Sequence, residues 1–288
     1  MRDTGERADL RETLAAATER LRAAGLEAPR ADAEILAAHV LGVLPARVAL
    51  ADAFTAPQGE AYDVAVDRRT AHEPVQHITG TAYFRHLTLA VGPGVFVPRP
   101  ETESLAGWVV DALAGRDGAV VVDLCTGSAA VALAVATERP GVRVHAVEVD
   151  EHAYAWARRN VDTVAPDAVR LHLGDAREAL HDLDGGVDVV VANPPYVPTG
   201  ADVPADVRRD PELALYAGPD GLDGVRLVAG VAARLLAPGG LLACEHDDGH
   251  GEAAPALLRR LQGWTDVRDH DDLAGRPRFV TAMREPPT

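Results

Sequence analysis

Between residues 119 and 244 short apolar runs alternate with segments of helical length, and no other feature of this 288-residue chain restricts its fold as strongly. Residues 119–124 (Ala-Val-Val-Val-Asp-Leu) and 187–192 each carry one polar side chain and 240–244 none, while 142–149 and 169–173 alternate apolar with polar residues. Helix-length segments at 129–137, 151–161 and 222–236 separate them. A strand with no polar face needs cover on both sides, and helices crossing over a parallel sheet supply it. The pattern therefore predicts a doubly wound α/β domain.

Upstream the period changes. Leu10, Leu14, Ala17 and Leu21 recur at helical spacing, and Gly25 stops them. A second pattern runs through Ala33, Ile35, Leu36, His39 and Val40 to Gly42, and a third helix is expected over 58–72. These make a small bundle assigned to residues 1–75. Leu87, Leu89 and Val91 alternate between Gly80, Gly92 and Gly94, which predicts a hairpin linker over 76–98 with the glycines at turns. Pro98 and Pro100 precede Glu101, which opens the α/β domain's first helix, and that domain is expected to fill 99–288.

Composition narrows the partners. The net charge is −16, and all 28 basic residues are arginines, with no basic stripe. Nucleic-acid backbones are gripped by a basic face, so the balance argues against DNA or RNA. No apolar run reaches the roughly 18 residues of a membrane span, and the first residues lack an apolar signal core. Cys125 and Cys244 sit far apart in apolar surroundings, which gives no disulfide framework and fits a reducing, cytoplasmic setting.

Four features carry chemistry. The first is Asp123-Leu-Cys-Thr-Gly-Ser-Ala-Ala130, between the first strand and its helix, where doubly wound sheets bind ligands. One glycine, Gly127, replaces the three of a dinucleotide fingerprint, so a nucleoside without a pyrophosphate fits better than a dinucleotide. Glu148 ends the second strand about 20 residues on, where a carboxylate can accept from two ribose hydroxyls. Asp175 follows the third strand and can accept from an adenine amino group. The fourth and most specific is Asn193-Pro194-Pro195-Tyr196, directly after the strand at 187–192. Its prolines fix the backbone, so the Asn193 side chain and the Pro194 carbonyl offer two acceptors to one planar NH2 group, and Tyr196 offers a flat face. Each feature also has a plain structural reading as a turn or a solvated strand end. Glu245, His246, Asp247, Asp248 and His250 invite a metal hypothesis, but no second ligand group matches them, so they are read as a solvated loop and no metal is expected.

Together these motifs resemble class I amino-methyltransferases. Residues 73–80 (Glu-Pro-Val-Gln-His-Ile-Thr-Gly), 92–103, 211–223 and 272–280 sharpen the resemblance to the HemK/PrmC family, the peptide chain release factor N5-glutamine methyltransferases, over about 28–284. The resemblance implies a seven-stranded methyltransferase sheet with the last strand antiparallel, and an N-terminal bundle that helps recognise the release factor. It implies S-adenosyl-L-methionine as cofactor, held by Cys125, Thr126, Gly127, Ser128, Ala129, Glu148, Asp175, Ala176 and Asn193. Asn193, Pro194, Pro195 and Tyr196 would hold the glutamine of a Gly-Gly-Gln loop, with Asn193, Pro194 and Tyr196 catalytic. Cys125 and Ala129 stand where the family usually has glycine, and His250 where it has Gln. Three alternatives stay open: an N6-adenine nucleic-acid methyltransferase, a ribosomal-protein glutamine methyltransferase, and a non-catalytic cofactor-binding module.

Overall fold

The computed structural model describes residues 9–51 and 53–286, which divide into two compact units. The first comprises the described residues up to Thr81 with Pro204–Arg209, and the second Ala82–Val203 with the chain from Asp210 onward.

The first unit holds α1 (Leu10–Ala23), α2 (Pro29–Leu41), α3 (Ala56–Thr70) and the short α4 (Val75–Thr79). The Asp9 side chain accepts from the Arg11 N–H to cap α1, and Pro29 opens α2 where no amide partner is needed. Leu10, Leu21, Leu36, Tyr62 and Val66 form its core. Within that core Arg69 Nε donates to Asp32 at 2.7 Å, and the Tyr62 hydroxyl donates to the Ala33 carbonyl at 3.1 Å. Arg209 Nη2 donates to the Ala71 carbonyl at 2.7 Å, which ties the distant segment 204–209 to the bundle.

The second unit opens within the hairpin of β1 (Thr81–Phe84), whose first residue closes the first unit, and β2 (Leu87–Ala90). The expected hairpin is therefore shorter than 76–98, residues 75–79 being helical. Its turn is Arg85-His86, not a glycine. Arg85 sits at φ +52°, held by its N–H donating to Glu103 and its guanidinium paired with Glu138. Gly92 serves packing: a Cβ there would come within 2.5 Å of the Trp156 ring.

The sheet follows, with α5 (Thr102–Ala112), β3 (Val120–Leu124), α6 (Ala130–Glu138), β4 (Arg143–Glu148), α7 (Glu151–Val164), β5 (Val169–Leu173), β6 (Val187–Ala192), α8 (Glu212–Leu215), α9 (Asp223–Leu235), β7 (Leu236–Glu245), α10 (Ala253–Arg260), β8 (Trp264–Asp271) and β9 (Pro277–Arg284). Its seven strands run β5-β4-β3-β6-β7-β9-β8; β9 is antiparallel to both neighbours, and the β3, β4, β5, β6 and β7 pairings are parallel. Side-chain alternation assigns the two faces: Val121, Val189 and Val191 pack with α5 and α6, while Val122, Val190 and Leu242 pack with α9 and α10. Strand order reverses between β3 and β6, and Leu124 pairs with Ala192, so the loops leaving these two strands start side by side. Among the described residues no helix is long and apolar enough to cross a membrane.

Candidate active site

The loop after β3 is anchored from below. Asp123 is buried and accepts from the Thr126 hydroxyl at 2.6 Å and the Ala132 N–H at 3.1 Å, which joins the loop to the first turn of α6. Burial pushes its carboxyl up to about 7, against these two hydrogen bonds. The folded-state value lies above the unfolded one, so this group's stabilisation is complete in acid and is lost as pH rises through about 7. Asp123→Asn is expected to shrink the fall in stability between pH 5 and pH 8 by roughly 3 kcal/mol. Urea unfolding at the two pH values checks this; an unchanged difference between wild type and variant refutes it.

Cys125, Gly127 and Ala129 all adopt left-handed φ, at +58°, +57° and +65°. A side chain in that region costs about 1–2 kcal/mol, which is why glycine suits the outer two positions. Ala129 recovers part of the cost because it is wholly buried among core residues. Burial, with the Glu148 charge behind it, pushes the Cys125 thiol up to about 12 and keeps it protonated. Nothing lies within 4 Å of a Cβ built on Gly127, so the cradle is open at its centre.

Glu148, at the end of β4, is buried and faces that cradle. Its Oε2 accepts from the Gly127 N–H at 2.8 Å, and its Oε1 accepts from Val149 and Asp150, each at 2.9 Å. Two lone pairs per oxygen leave a single acceptor site, on Oε2, where the sequence suggested two hydroxyl contacts. Burial raises its carboxyl above the usual range, opposed by the three N–H groups. Asp175, after β5, is held by Arg177, whose N–H and guanidinium lower its carboxyl below the usual range. Ala176 beside it is buried. Asn160 on α7 is a supporting residue that periodicity did not reveal: it accepts from the Ala90 N–H and donates to the Ala90 and Ser128 carbonyls, bracing the cradle from β2.

The Asn193-Pro194-Pro195-Tyr196 corner leaves β6 beside that cradle. Asn193 Nδ2 donates to the Thr102 hydroxyl at 3.1 Å, so one end of the carboxamide is committed to α5. The prolines lie against α9: a Cβ on Gly224 would come within 2.3 Å of the Pro195 carbonyl and 2.9 Å of Pro194 Cβ. Beyond Tyr196, Val197 exchanges backbone hydrogen bonds with Leu215 and Ala217, and Arg99 pairs with Asp210, so the 211–223 segment buttresses the corner's exit. Burial, with the Glu245 charge next, raises the Tyr196 phenol and holds it neutral.

Within 245–250 the structure corrects the solvated-loop expectation for Glu245 and His246, while Asp248 stays exposed. Glu245 and His246 have no exposed surface, because β7 ends in Glu245 between β6 and β9 and the His246 N–H goes on to donate to the Arg278 carbonyl of β9. His246 Nε2 lies 2.8 Å from Asp269 and Nδ1 2.8 Å from the Asp247 carbonyl, so both ring nitrogens are taken. Among the described residues no His, Cys, Asp and Glu cluster suits a metal ion. His250 lies against Gly221, near Tyr196. Thr102, Glu245, Gly224 and Arg278 adjoin the corner without belonging to its motif; only their packing marks them.

The chain matches the family models PrmC N-terminal domain over 12–80 and Methyltransferase small domain over 86–209. The hMettl16 catalytic domain, solved with the MAT2A 3′UTR hairpin 6, shares the fold at TM-score 0.52 and 16% identity, over 82% of this chain and 84% of that one. Sheet order and family model define a class I methyltransferase that uses S-adenosylmethionine. A release factor glutamine methyltransferase of Streptomyces coelicolor is 50% identical, over 95% of this chain and 98% of that protein. One from Mycolicibacterium smegmatis is 47% identical over 96% and 98%. A 4-amino-L-phenylalanine/4-methylamino-L-phenylalanine methyltransferase of Streptomyces pristinaespiralis is 39% identical over 89% of each. The chain belongs to the release factor glutamine methyltransferase family.

Proposed function

We propose that this enzyme methylates the side-chain amide nitrogen of the glutamine in the Gly-Gly-Gln motif of class 1 peptide chain release factors, in the cytoplasm. Full-length identity to enzymes of that name supports the reaction. Within the molecule one observation carries it: Asn193 is anchored through Nδ2 to Thr102, which leaves its Oδ1 as the acceptor that would act with the Pro194 carbonyl on one flat NH2 group.

The cradle suits S-adenosylmethionine. It is open at Gly127, offers an acceptor on Glu148 Oε2 and has the acidic Glu148 and Asp175 at its strand ends, which favour a cation over its neutral product. Residues 125–129, Glu148, Asp175, Ala176 and Asn193 would hold the cofactor, which supplies an electrophilic methyl on a sulfonium sulfur. An amide nitrogen is a weak nucleophile because its lone pair is delocalised. Asn193 Oδ1 and the Pro194 carbonyl would bind its two hydrogens and turn the lone pair toward the methyl carbon, while Pro195 and Tyr196 pack on the amide plane. The oriented amide nitrogen would take that methyl, with the sulfur–carbon pair left behind on the donor, and give up one hydrogen as a proton to water. Rate enhancement comes from orientation and preorganised dipoles.

Mass spectrometry of a bacterial release factor incubated with enzyme and donor tests this. One added methyl on the Gly-Gly-Gln glutamine is the expected result. Methyl on adenine in added DNA, on a ribosomal protein, or on an aryl amine such as 4-aminophenylalanine, with none on the release factor, overturns it.

A further inference from the structure

Glu245 is a wholly buried carboxyl with neither oxygen hydrogen-bonded, at the end of β7 and next to the proposed acceptor corner. Such a group is costly and needs a reason. Thr102 and Asn193 stand beside it and stabilise its charge, although neither reaches hydrogen-bond geometry with it. The same two residues are bonded to each other, Asn193 Nδ2 to Thr102 Oγ1.

We propose that Glu245, acting through the Thr102 hydroxyl, is a positioning residue that fixes which end of the Asn193 carboxamide faces the methyl acceptor. This rests on the corner being the site that binds the acceptor amide. The two ends of a carboxamide are nearly equal in size, so only their partners set its orientation. An ionised Glu245 can only accept. When the Thr102 hydroxyl closes onto it to hydrogen-bond distance, it takes the Thr102 hydrogen, leaves Thr102 with lone pairs alone toward Asn193, and so requires Nδ2 there and Oδ1 outward. A protonated Glu245 can instead donate to Thr102, which frees the Thr102 hydrogen for Asn193 Oδ1. The carboxamide then turns an NH2 toward an NH2, and binding of the acceptor amide is lost.

The charges around Glu245 allow the switch. Burial pushes its carboxyl up to about 7; Arg278 on β9 opposes this and Glu101 at the head of α5 adds to it. Tyr196 and Cys244 also sense its charge, and Asp247 is felt at Tyr196. Arg278 is itself buried and paired with Asp272 at 3.4 Å, so it is shared rather than committed to Glu245.

The test measures kcat from pH 5.5 to 8.5 with a release factor as acceptor, beside the Asn193 side-chain amide resonances of 15N-labelled enzyme over the same range. Wild type should lose kcat as pH falls through about 7, and the Asn193 resonances should shift with the same midpoint. Glu245→Gln should abolish both transitions, lower kcat at pH 8 about tenfold, and leave donor affinity within about twofold. Thr102→Val should lose a similar factor, Thr102→Ser should recover most of it, and the losses of Glu245→Gln and Thr102→Val should not multiply. A purely structural role would lower Tm but keep the acid limb. Retention of that limb and of the Asn193 shift in Glu245→Gln, or multiplying losses, overturns the proposal. If wild type methylates no release factor, the function reading fails instead, and the Asn193 resonances still decide the role of Glu245.

Discussion

Asn193→Ala is expected to lower kcat by about 10²–10³-fold and donor affinity far less. The carboxamide is held at one end by Thr102 and supplies one of two acceptors for the reacting NH2. Removing it leaves the acceptor amide with a single oriented hydrogen, the Pro194 carbonyl's partner, and a lone pair free to turn away from the methyl. A lost interaction of this kind acts on the transition state, so kcat and kcat/KM should fall together. Asn193→Gln should not rescue, because the longer side chain moves the oxygen off the line with the Pro194 carbonyl. Donor affinity comes from calorimetry and kcat from saturating turnover. A variant within threefold of wild-type kcat removes Asn193 from the mechanism.

Gly224→Ala is expected to damage the corner from behind. The added methyl would stand 2.3 Å from the Pro195 carbonyl and 2.9 Å from Pro194 Cβ, and neither is the tip of a flexible side chain. Either α9 or the proline corner must shift by most of an ångström. Overpacking of this severity costs about 3 kcal/mol, and a displacement of about 1 Å at reacting groups costs on the order of 10²-fold in rate. Gly230, on the same helix, has nothing within 4 Å of its Cβ position, so Gly230→Ala is the control and should be neutral or stabilising. Equal activity and Tm for the two variants would show that the corner tolerates the displacement.

The strands legible in the sequence are those buried on both faces. Residues 187–192 show this, a run of Val with one Asp that coincides with β6, whereas 169–173 coincides with β5 through its apolar–polar alternation, Arg170 and His172 taking one face of a partly exposed strand. The segments that periodicity missed are amphipathic or short. β8 (Trp264–Asp271) alternates weakly, lies at the sheet edge and carries bulges, and α8 has four residues; the last two strands were expected only through family resemblance. In the hairpin, Arg85 rather than a glycine takes the positive φ, because Glu103 and Glu138 from elsewhere in the unit hold it.

At the candidate site, local sequence determined which residues leave the strand ends: the loop 125–129, Glu148, Asp175 and the Asn193 corner are each fixed by position after a buried strand. Pairing of β3 with β6 decided that cradle and corner begin side by side. Packing decided the rest. Thr102, Gly224, Asn160 and Glu245 come from α5, α9, α7 and β7, distant in sequence from the loops they brace. Their roles depend on burial and on partners brought by the fold. Glu245 and His246 show why: read along the chain they belong to a solvated acidic loop, and pairing with β9 seals these two inside while Asp248 beyond them stays exposed. A sequence reports what a residue can donate or accept, and only the tertiary structure sets the solvent and the neighbours that decide which it does.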